Sequence, residues 1–572
     1  MAFRIALLFS FSAAAVWAAD GPPDFIFHHG KIVTVDPKFA IVEALAVRGE
    51  RIVACGSSDE ILRLAGPKTE RVDLAGQTVL PGLCDSHAHP PQAAMFEFDH
   101  AVPAMDCIAD VLAYVRSRVK ALQPGQWIWV DQVFITRLKE RRFPTKQELD
   151  DAAPENPVVF RTGPDAAVNS LALKLSGIDK DFKITDGQAG SIEHDAAGEP
   201  TGILRNCTRF IKHTSSARTP TDADRYDRLK ALLAAYNSAG ITSVTDRGAG
   251  DGTIALYKKL KDSGELTCRV FLTYYVDAQL PLEKIDAEVK KAAAHPLHEH
   301  NNLLWLRGIK IYLDGGMLTG SAYMLQPWGV SKIYSITDPE YRGLLFIQPD
   351  KLEKIARLVL SNGLQPTAHS VGDGAVHALV DAYEAVNRDL PVRDLRPCIC
   401  HSNFMSAEVI EKMRTLGVVA DLQPAWLYLD GKTLTEQFGE KRLSYFQPYR
   451  TLFDRGVIVG GGSDHMQKLD SLKSINPFNP WLGIWTTLVR QPRWTDQPFH
   501  PEQRITREEA IRLYTINCAW LSFEEKEKGS LEAGKLADFV ILDRDILTCP
   551  LDDVKEIQVR ETWLGGKRVY KK

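Results

Sequence analysis

Five histidine, aspartate and lysine positions scattered over nearly 400 positions follow short apolar runs in a repeating way, and the first of them is a pair. His87 and His89 stand in Asp85-Ser86-His87-Ala88-His89, directly after Val79-Leu80-Pro81-Gly82-Leu83. On a strand, residues i and i+2 project to one face. Two imidazoles converging at a strand end are a ready seat for a divalent metal. Further on, Lys310 lies within the apolar run Gly308–Leu313, and His369 closes Gln365-Pro366-Thr367-Ala368. His401 closes Arg396-Pro397-Cys398-Ile399-Cys400, and Asp464 follows Val457–Gly462. Taken singly, a histidine after a strand is more often a hydrogen-bonded core residue, an aspartate after Gly-Gly-Ser a turn or helix cap, and a buried lysine a snorkelling or paired one. Taken together and in this order they point to a metal centre.

Such a set needs a scaffold that collects strand ends. Strand candidates at Thr242–Thr245, Arg269–Leu272, Ile309–Leu313, Gln365–Ala368, Val418–Ala420 and Val457–Gly460 alternate with helix candidates at Ala223–Ala239, Glu283–Ala294, Pro349–Asn362, Gly374–Asn387, Ser406–Leu416 and Arg507–Cys518. Thr506 with Glu509 reads as a capping box for the last helix. Alternation of this kind implies a parallel sheet with crossover helices, here an α/β barrel whose reactive side chains gather at the C-terminal ends of the strands. Residues 100–230 break the alternation and read as an insertion. The segments 20–80 and 526–572 have another texture, short β runs between turns, and a Gly565-Gly566 hairpin signal lies near the C-terminus. They are expected to pair into one β-sandwich, with residues 81–525 forming the barrel.

Composition narrows the class. The 572 residues are 45% hydrophobic and 25% charged, with a net charge of −4 and no dense basic stripe, which gives nucleic-acid binding no support. Residues 1–19 read as a secretory signal, with Arg4 ahead of the apolar stretch Ile5–Val16 and small residues after it, so a periplasmic or secreted protein is expected. No later run approaches a membrane span. Nine cysteines are too few for a disulfide framework, and Cys398 and Cys400 read as small buried residues.

The ordered motifs carry a resemblance. Leu80-Pro81-Gly82-Leu83-Cys84-Asp85-Ser86-His87-Ala88-His89, Lys310-Ile311-Tyr312-Leu313-Asp314-Gly315-Gly316, His369-Ser370-Val371-Gly372-Asp373-Gly374-Ala375, His401, Gly462-Ser463-Asp464 and Gly529–Asp538 together resemble the amidohydrolase superfamily. Within it they resemble the amidohydrolase-3 or YtcJ-like group related to N-substituted formamide deformylase. The resemblance implies a distorted (β/α)8 barrel holding one or two divalent metals, usually zinc. It implies His87, His89 and Asp464 on the first metal, His369 and His401 on the second, and Lys310 carboxylated between them. Asp464 is also the implied proton shuttle. The implied activity is hydrolysis of a non-peptide C–N bond in an amide, formamide or cyclic amide through a metal-activated hydroxide. Two rival readings stand beside it: the same site acting on an ester, lactone or carbamate, and a non-catalytic exported binding protein. A small-molecule substrate is implied, and a homodimer is common among such proteins. Three positions depart from the group's pattern: Asp165 where a histidine is common, and Asn206 and Cys400 where glutamates are. The segment His295–His300 reads as a solvated loop, the run Gly460-Gly461-Gly462 as a point of close backbone approach to the metal site rather than a phosphate cradle, and the run Trp481–Trp485 as either pocket mouth or core.

Overall fold

The computed structural model describes residues 21–131, 133–214 and 218–572. The proposed signal segment lies outside the described residues. Eight parallel strands form one sheet: β1 (Leu83–Ala88), β2 (Ile241–Ala249), β3 (Arg269–Tyr275), β4 (Leu304–Tyr312), β5 (Gln365–Ser370), β6 (Cys398–His401), β7 (Val419–Leu422) and β8 (Val459–Gly461). They run in sequence order around the sheet. The two edges meet just beyond the strands, where Asp464 N donates to His87 O at 2.7 Å and His89 N to His465 O at 2.8 Å. The result is a nearly closed barrel whose last contacts are made by the residues that carry the chemistry.

Most of the expected helices form within a residue or two of their expected ends, at Asp222–Ser238, Leu282–Ala293, Pro349–Ser361, Asp373–Val386 and Ala407–Leu416. Their apolar faces and the outward faces of the strands make one large core, including Leu232, Tyr236, Ile285, Val289, Ile355, Val359, Leu379 and Val409. The expected single helix Arg507–Cys518 is instead two, Arg507–Leu513 and Ile516–Leu521. The Thr506–Glu509 capping box is present at the start of the first. The break has a physical reason, because the Tyr514 carbonyl turns out of the helix to accept from Cys84 N at 2.8 Å and so ties the chain to β1.

Segments from the two ends of the chain share a sheet. Strands Thr78–Pro81, Lys31–Val33 and Ile41–Val42 continue into Phe539–Leu542, Val559–Leu564 and Lys567–Lys571. The turn Gly565-Gly566 has both residues at positive φ, as a tight hairpin needs. A four-stranded sheet of Phe25–His28, Ala44–Arg48, Arg51–Gly56 and Glu70–Asp73 packs against it, with Phe27 edge-on to Phe539 and Trp563, each at 5.0 Å between ring centroids. Between β1 and β2 the chain builds a separate five-stranded sheet, from Ile128–Asp131 to Pro200–Arg205. Among the described residues no helix is long and apolar enough to cross a membrane.

Candidate metal centre

His87 is on β1 and His89 immediately follows it, while Asp464 lies three residues beyond β8. Ligand-type atoms of these three side chains fall within 4.8 Å of one another. His87 Nε2 and His89 Nε2 lie 3.5 and 3.2 Å from Asp464 Oδ1. The rings of His369, at the penultimate position of β5, and His401, at the end of β6, stand 4.5 Å apart, and His401 is 4.6 Å from His87. The four imidazoles therefore form a continuous row at the C-terminal mouth of the barrel. Lys310, on β4, is fully buried beneath them, and its Nζ has no hydrogen-bond partner. Its Nζ lies 5.3 Å from the centroid of the Tyr312 ring. All six predicted residues are brought together.

Neighbouring groups fix which nitrogen of each ring is available. His87 Nδ1 donates to Asp421 Oδ2 at 3.0 Å, and its Nε2 is buried with no hydrogen-bond partner. His401 Nδ1 donates to Gln423 Oε1 at 2.8 Å, which frees Nε2. His369 works the other way round, with Nε2 donating to Gly315 O at 3.3 Å and Nδ1 free. Outer partners that lock tautomers in this way are what metal-binding histidines need. An orphaned imidazole nitrogen and an orphaned amine, both buried, are costly unless something else occupies the space between them.

The electrostatics divide the rings. Burial opposes protonation of His87, but Asp421 outweighs it and lifts the ring to about 9, so this ring must give up a proton when a metal binds. Burial and the charge of Lys310 push His369 down to about 3. Burial, with His369, His87 and Lys310 beside it, holds His401 well below the ordinary imidazole range. Both rings are thus neutral, the form that binds metal. Burial alone would raise the Asp464 carboxyl, yet His89, His87 and Lys310 hold it below the usual carboxylate range.

Backbone geometry shows the same site under constraint. His401 and Asp464 have φ of +76° and +56°, left-handed values that non-glycine residues adopt rarely. Asn476 Nδ2 holds Asp464 there by donating to its carbonyl at 2.7 Å. Of the run Gly460-Gly461-Gly462, Gly462 is the one that approaches the centre, since a Cβ there would sit 2.7 Å from His87 Cβ and 2.8 Å from His87 N.

Several contributors were not foreseen. Asp421 follows an apolar run as an acid at the end of β7, the same signal that singled out Asp464, but it faces inward under the centre rather than onto it. Arg247 on β2 donates through Nε to Asp421 Oδ2 at 3.1 Å, and Ser86 Oγ donates to Oδ1 at 2.8 Å. Asp314 accepts from Val371 N, Gly372 N and Tyr323 N at 2.9, 2.9 and 3.0 Å, pinning the long segment 313–348 over the barrel mouth. Burial pushes its carboxyl up to about 7 against the pull of those donors. Trp426 stacks on His401 at 5.2 Å, with the planes 9° apart.

The three departing positions divide. Cys400 lies beneath the centre with its sulfur beside His87 and Asp421. Cys398, read as merely apolar, accepts from Arg247 Nη2 at 3.6 Å. Asp165 pairs with Arg205 at 3.4 Å and accepts from Asn206 N at 3.0 Å, in the inserted sheet and off the cavity wall. The run Trp481–Trp485 is buried core in the helix Pro480–Val489 rather than pocket mouth. In the segment His295–His300, His295 Nδ1 accepts from Leu297 N and His298 Nδ1 donates to Leu306 O, so no ligand cluster forms there.

A cavity of about 290 Å³ opens onto the centre, lined by His89, His369, His401 and Asp464 together with Tyr312, Phe134 and Trp426. It sits at the C-terminal ends of the strands, the face where such barrels carry out their chemistry.

Residues 70–570 match the model of the amidohydrolase family. The chain belongs to this family and is a hydrolytic enzyme. N-substituted formamide deformylase of Arthrobacter pascens is 28% identical over 561 residues, 96% of this chain and 98% of that one. YtcJ of Bacillus subtilis is 25% identical over 567 residues, 96% of this chain and 99% of that one. In fold, the chain is similar to an uncharacterized metal-dependent hydrolase from Pyrococcus horikoshii, with a TM-score of 0.66 at 22% identity over 92% of this chain and 99% of that one.

Proposed function

We propose that the chain is a metal-dependent hydrolase of a non-peptide C–N bond, in an amide, formamide or cyclic amide. The observation that carries this reading is the convergence of four imidazoles, one carboxylate and an unpartnered buried lysine on one cavity at the barrel mouth. The similarity to a protein named as a formamide deformylase supports the substrate class.

The donor set fits one or two divalent ions, zinc being suited to imidazole and carboxylate. His87, His89 and Asp464 would hold one, and His369 and His401 the other. Lys310 fits as a shared ligand once carboxylated. Once its ammonium has given up a proton, the amine adds to carbon dioxide, forming a C–N bond and releasing one further proton, and the resulting carbamate is an anion placed among cations. Bound ions there supply Lewis acidity and bring the pKa of a coordinated water towards 7. The chain's own residues do the rest. Asp464 accepts a proton from the attacking water and returns it to the nitrogen as the C–N bond breaks. Its restrained backbone and the bond from Asn476 keep the carboxylate aimed at both positions. Phe134, Trp426 and the segment 313–348 wall the cavity and keep out bulk water.

The test is turnover of a panel of formamides, amides and lactams after chelation and after restoration of zinc. Activity lost on chelation, regained with zinc, and lower by about 1,000-fold or more in Asp464→Asn supports the reading. Activity that survives chelation, or that Asp464→Asn retains, contradicts it. Turnover of esters or lactones alone favours the rival substrate class.

A further inference from the structure

Outside the barrel, one further set of imidazole and carboxylate groups converges on a point. His28 ends the strand Phe25–His28, His29 follows it, and Asp73 ends the neighbouring strand Glu70–Asp73. The two strands run parallel, with His28 directly opposite Asp73. Successive residues of a strand point to opposite faces, so His28 and His29 would ordinarily diverge. They meet because His29 has a φ of +54°, a left-handed value that swings its ring back beside that of His28. The two rings stand edge to face with centroids 4.5 Å apart, and their Nδ1 atoms are 3.1 Å apart. His29 Nδ1 is 3.4 Å from Asp73 Oδ2, and ligand-type atoms of all three side chains fall within 4.8 Å of one another.

These separations are close to those of a coordination shell. Zinc holds nitrogen and oxygen at about 2.0–2.2 Å, which sets tetrahedral ligands about 3.3–3.6 Å apart. The proposed barrel centre has the same donor set at similar spacing, with His87 and His89 3.5 and 3.2 Å from Asp464. Either one of the two rings donates an Nδ1 proton to the other, or both present lone pairs to a shared cation. The backbone beneath is fastened at each ligand. His28 O accepts from Leu74 N at 2.9 Å, His29 O accepts from Gly76 N at 2.7 Å, and His29 N donates to Ser58 Oγ at 2.9 Å. Asp73 Oδ1 accepts from Ala75 N at 2.9 Å, which leaves Oδ2 for the imidazoles. Outer bonds of this kind hold ligands in place, and left-handed strain collects at ligand clamps. The His29 and Asp73 side chains are 57% and 59% exposed, so the rest of the shell faces water.

We propose that His28 Nδ1, His29 Nδ1 and Asp73 Oδ2 form a non-catalytic site for a divalent cation of the zinc type, with water completing the shell. The ion clips Glu70–Asp73, the edge strand of its sheet, to Phe25–His28. Two imidazoles select zinc, copper or nickel over calcium and magnesium, which take oxygen donors. With three protein ligands and an open face the ion exchanges freely, so the site fills under free zinc and empties on desalting, unlike ions held in the barrel.

The experiment titrates zinc chloride by calorimetry into the full chain, zinc-loaded and then desalted, beside His29→Asn and Asp73→Asn. Asparagine tolerates the left-handed backbone at position 29 and keeps a carbonyl for Ala75 N at position 73, so both variants should melt like wild type without added zinc. Wild type is expected to take up one further zinc per chain. Loss of an outer partner alone costs about 10- to 100-fold in metal affinity, so loss of a ligand should weaken this uptake by at least about tenfold. Hydrogen exchange measured under the same zinc should slow at residues 70–76 in wild type only, and calcium chloride should give neither effect. Uptake that neither variant weakens marks an adventitious ion only and overturns the proposal, as does the absence of any further uptake. Uptake lost in the variants while exchange at residues 70–76 is indifferent to zinc overturns the clip. None of these readouts uses turnover, so the hydrolase reading stands or falls separately.

Discussion

Replacing Asp421 by asparagine should loosen the proposed metal centre without touching any of its ligands. One oxygen of Asp421 accepts from both His87 Nδ1 at 3.0 Å and Arg247 Nε at 3.1 Å, and the other from Ser86 Oγ at 2.8 Å. All of this is buried, with the His87 and Asp421 side chains 1% and 0% exposed. Asparagine keeps the volume but brings an NH2 group. Turned towards His87 and Arg247, that group faces two donors, and His87 must move its proton to Nε2, the atom proposed to bind metal. Turned towards Ser86, it leaves a neutral carbonyl where a carboxylate had been. In either pose His87 loses its charged partner and the basicity that partner confers. Outer partners of this kind are worth roughly 10- to 100-fold in metal affinity. The uncompensated Arg247 should also cost about 3 kcal/mol of stability. The assay is metal titration against a chelator of known affinity, with a melting curve on the same samples. Affinity within threefold of wild type would refute the claim that Asp421 sets the tautomer of His87. A lower melting temperature with unchanged metal affinity would assign Asp421 to packing alone.

Other perturbations have outcomes of different kinds. Gly462→Ala places a Cβ against the rigid backbone of His87, so hydrolysis should fall at least 100-fold with a loss of about 1–3 kcal/mol in stability, measured by kinetics and denaturant unfolding. Asp538→Asn should cost about 3–5 kcal/mol, because Arg269 makes two bonds to it at 2.6 and 2.8 Å between barrel and terminal sheet, whereas replacing both by apolar residues of similar size should cost less. Glu148, held at about 2 by Arg142 against the opposing effect of burial and aided by Thr145, contributes stability that is present above its unfolded pKa of about 4.3 and is lost as pH falls towards 2. After screening that contribution is about 1 kcal/mol or less, so Glu148→Gln should unfold at a slightly lower urea concentration at pH 7 and match wild type near pH 2.

The barrel and its six converging residues were legible because each lies at or just past an apolar run, and such runs show in sequence as strands even when their ends shift by a residue or two. The fastening residues were harder to read. Asp421 lies within a four-residue strand and Gln423 directly after it, and the strand is too short for a periodicity to mark either. Arg247 looks like any charged residue until the barrel closes around it. The break at Tyr514 carries no proline or glycine and exists only because β1 needs a backbone acceptor there.

Metal content per chain, measured by elemental mass spectrometry on zinc-reconstituted wild type beside Lys310→Ala, tests the central claim most directly. The account predicts two divalent ions in the wild type and one or none in the variant, with hydrolysis lost in parallel. A wild type that binds no metal after reconstitution would contradict the hydrolase mechanism, and a single ion unaffected by Lys310→Ala would contradict the bridging role of the lysine.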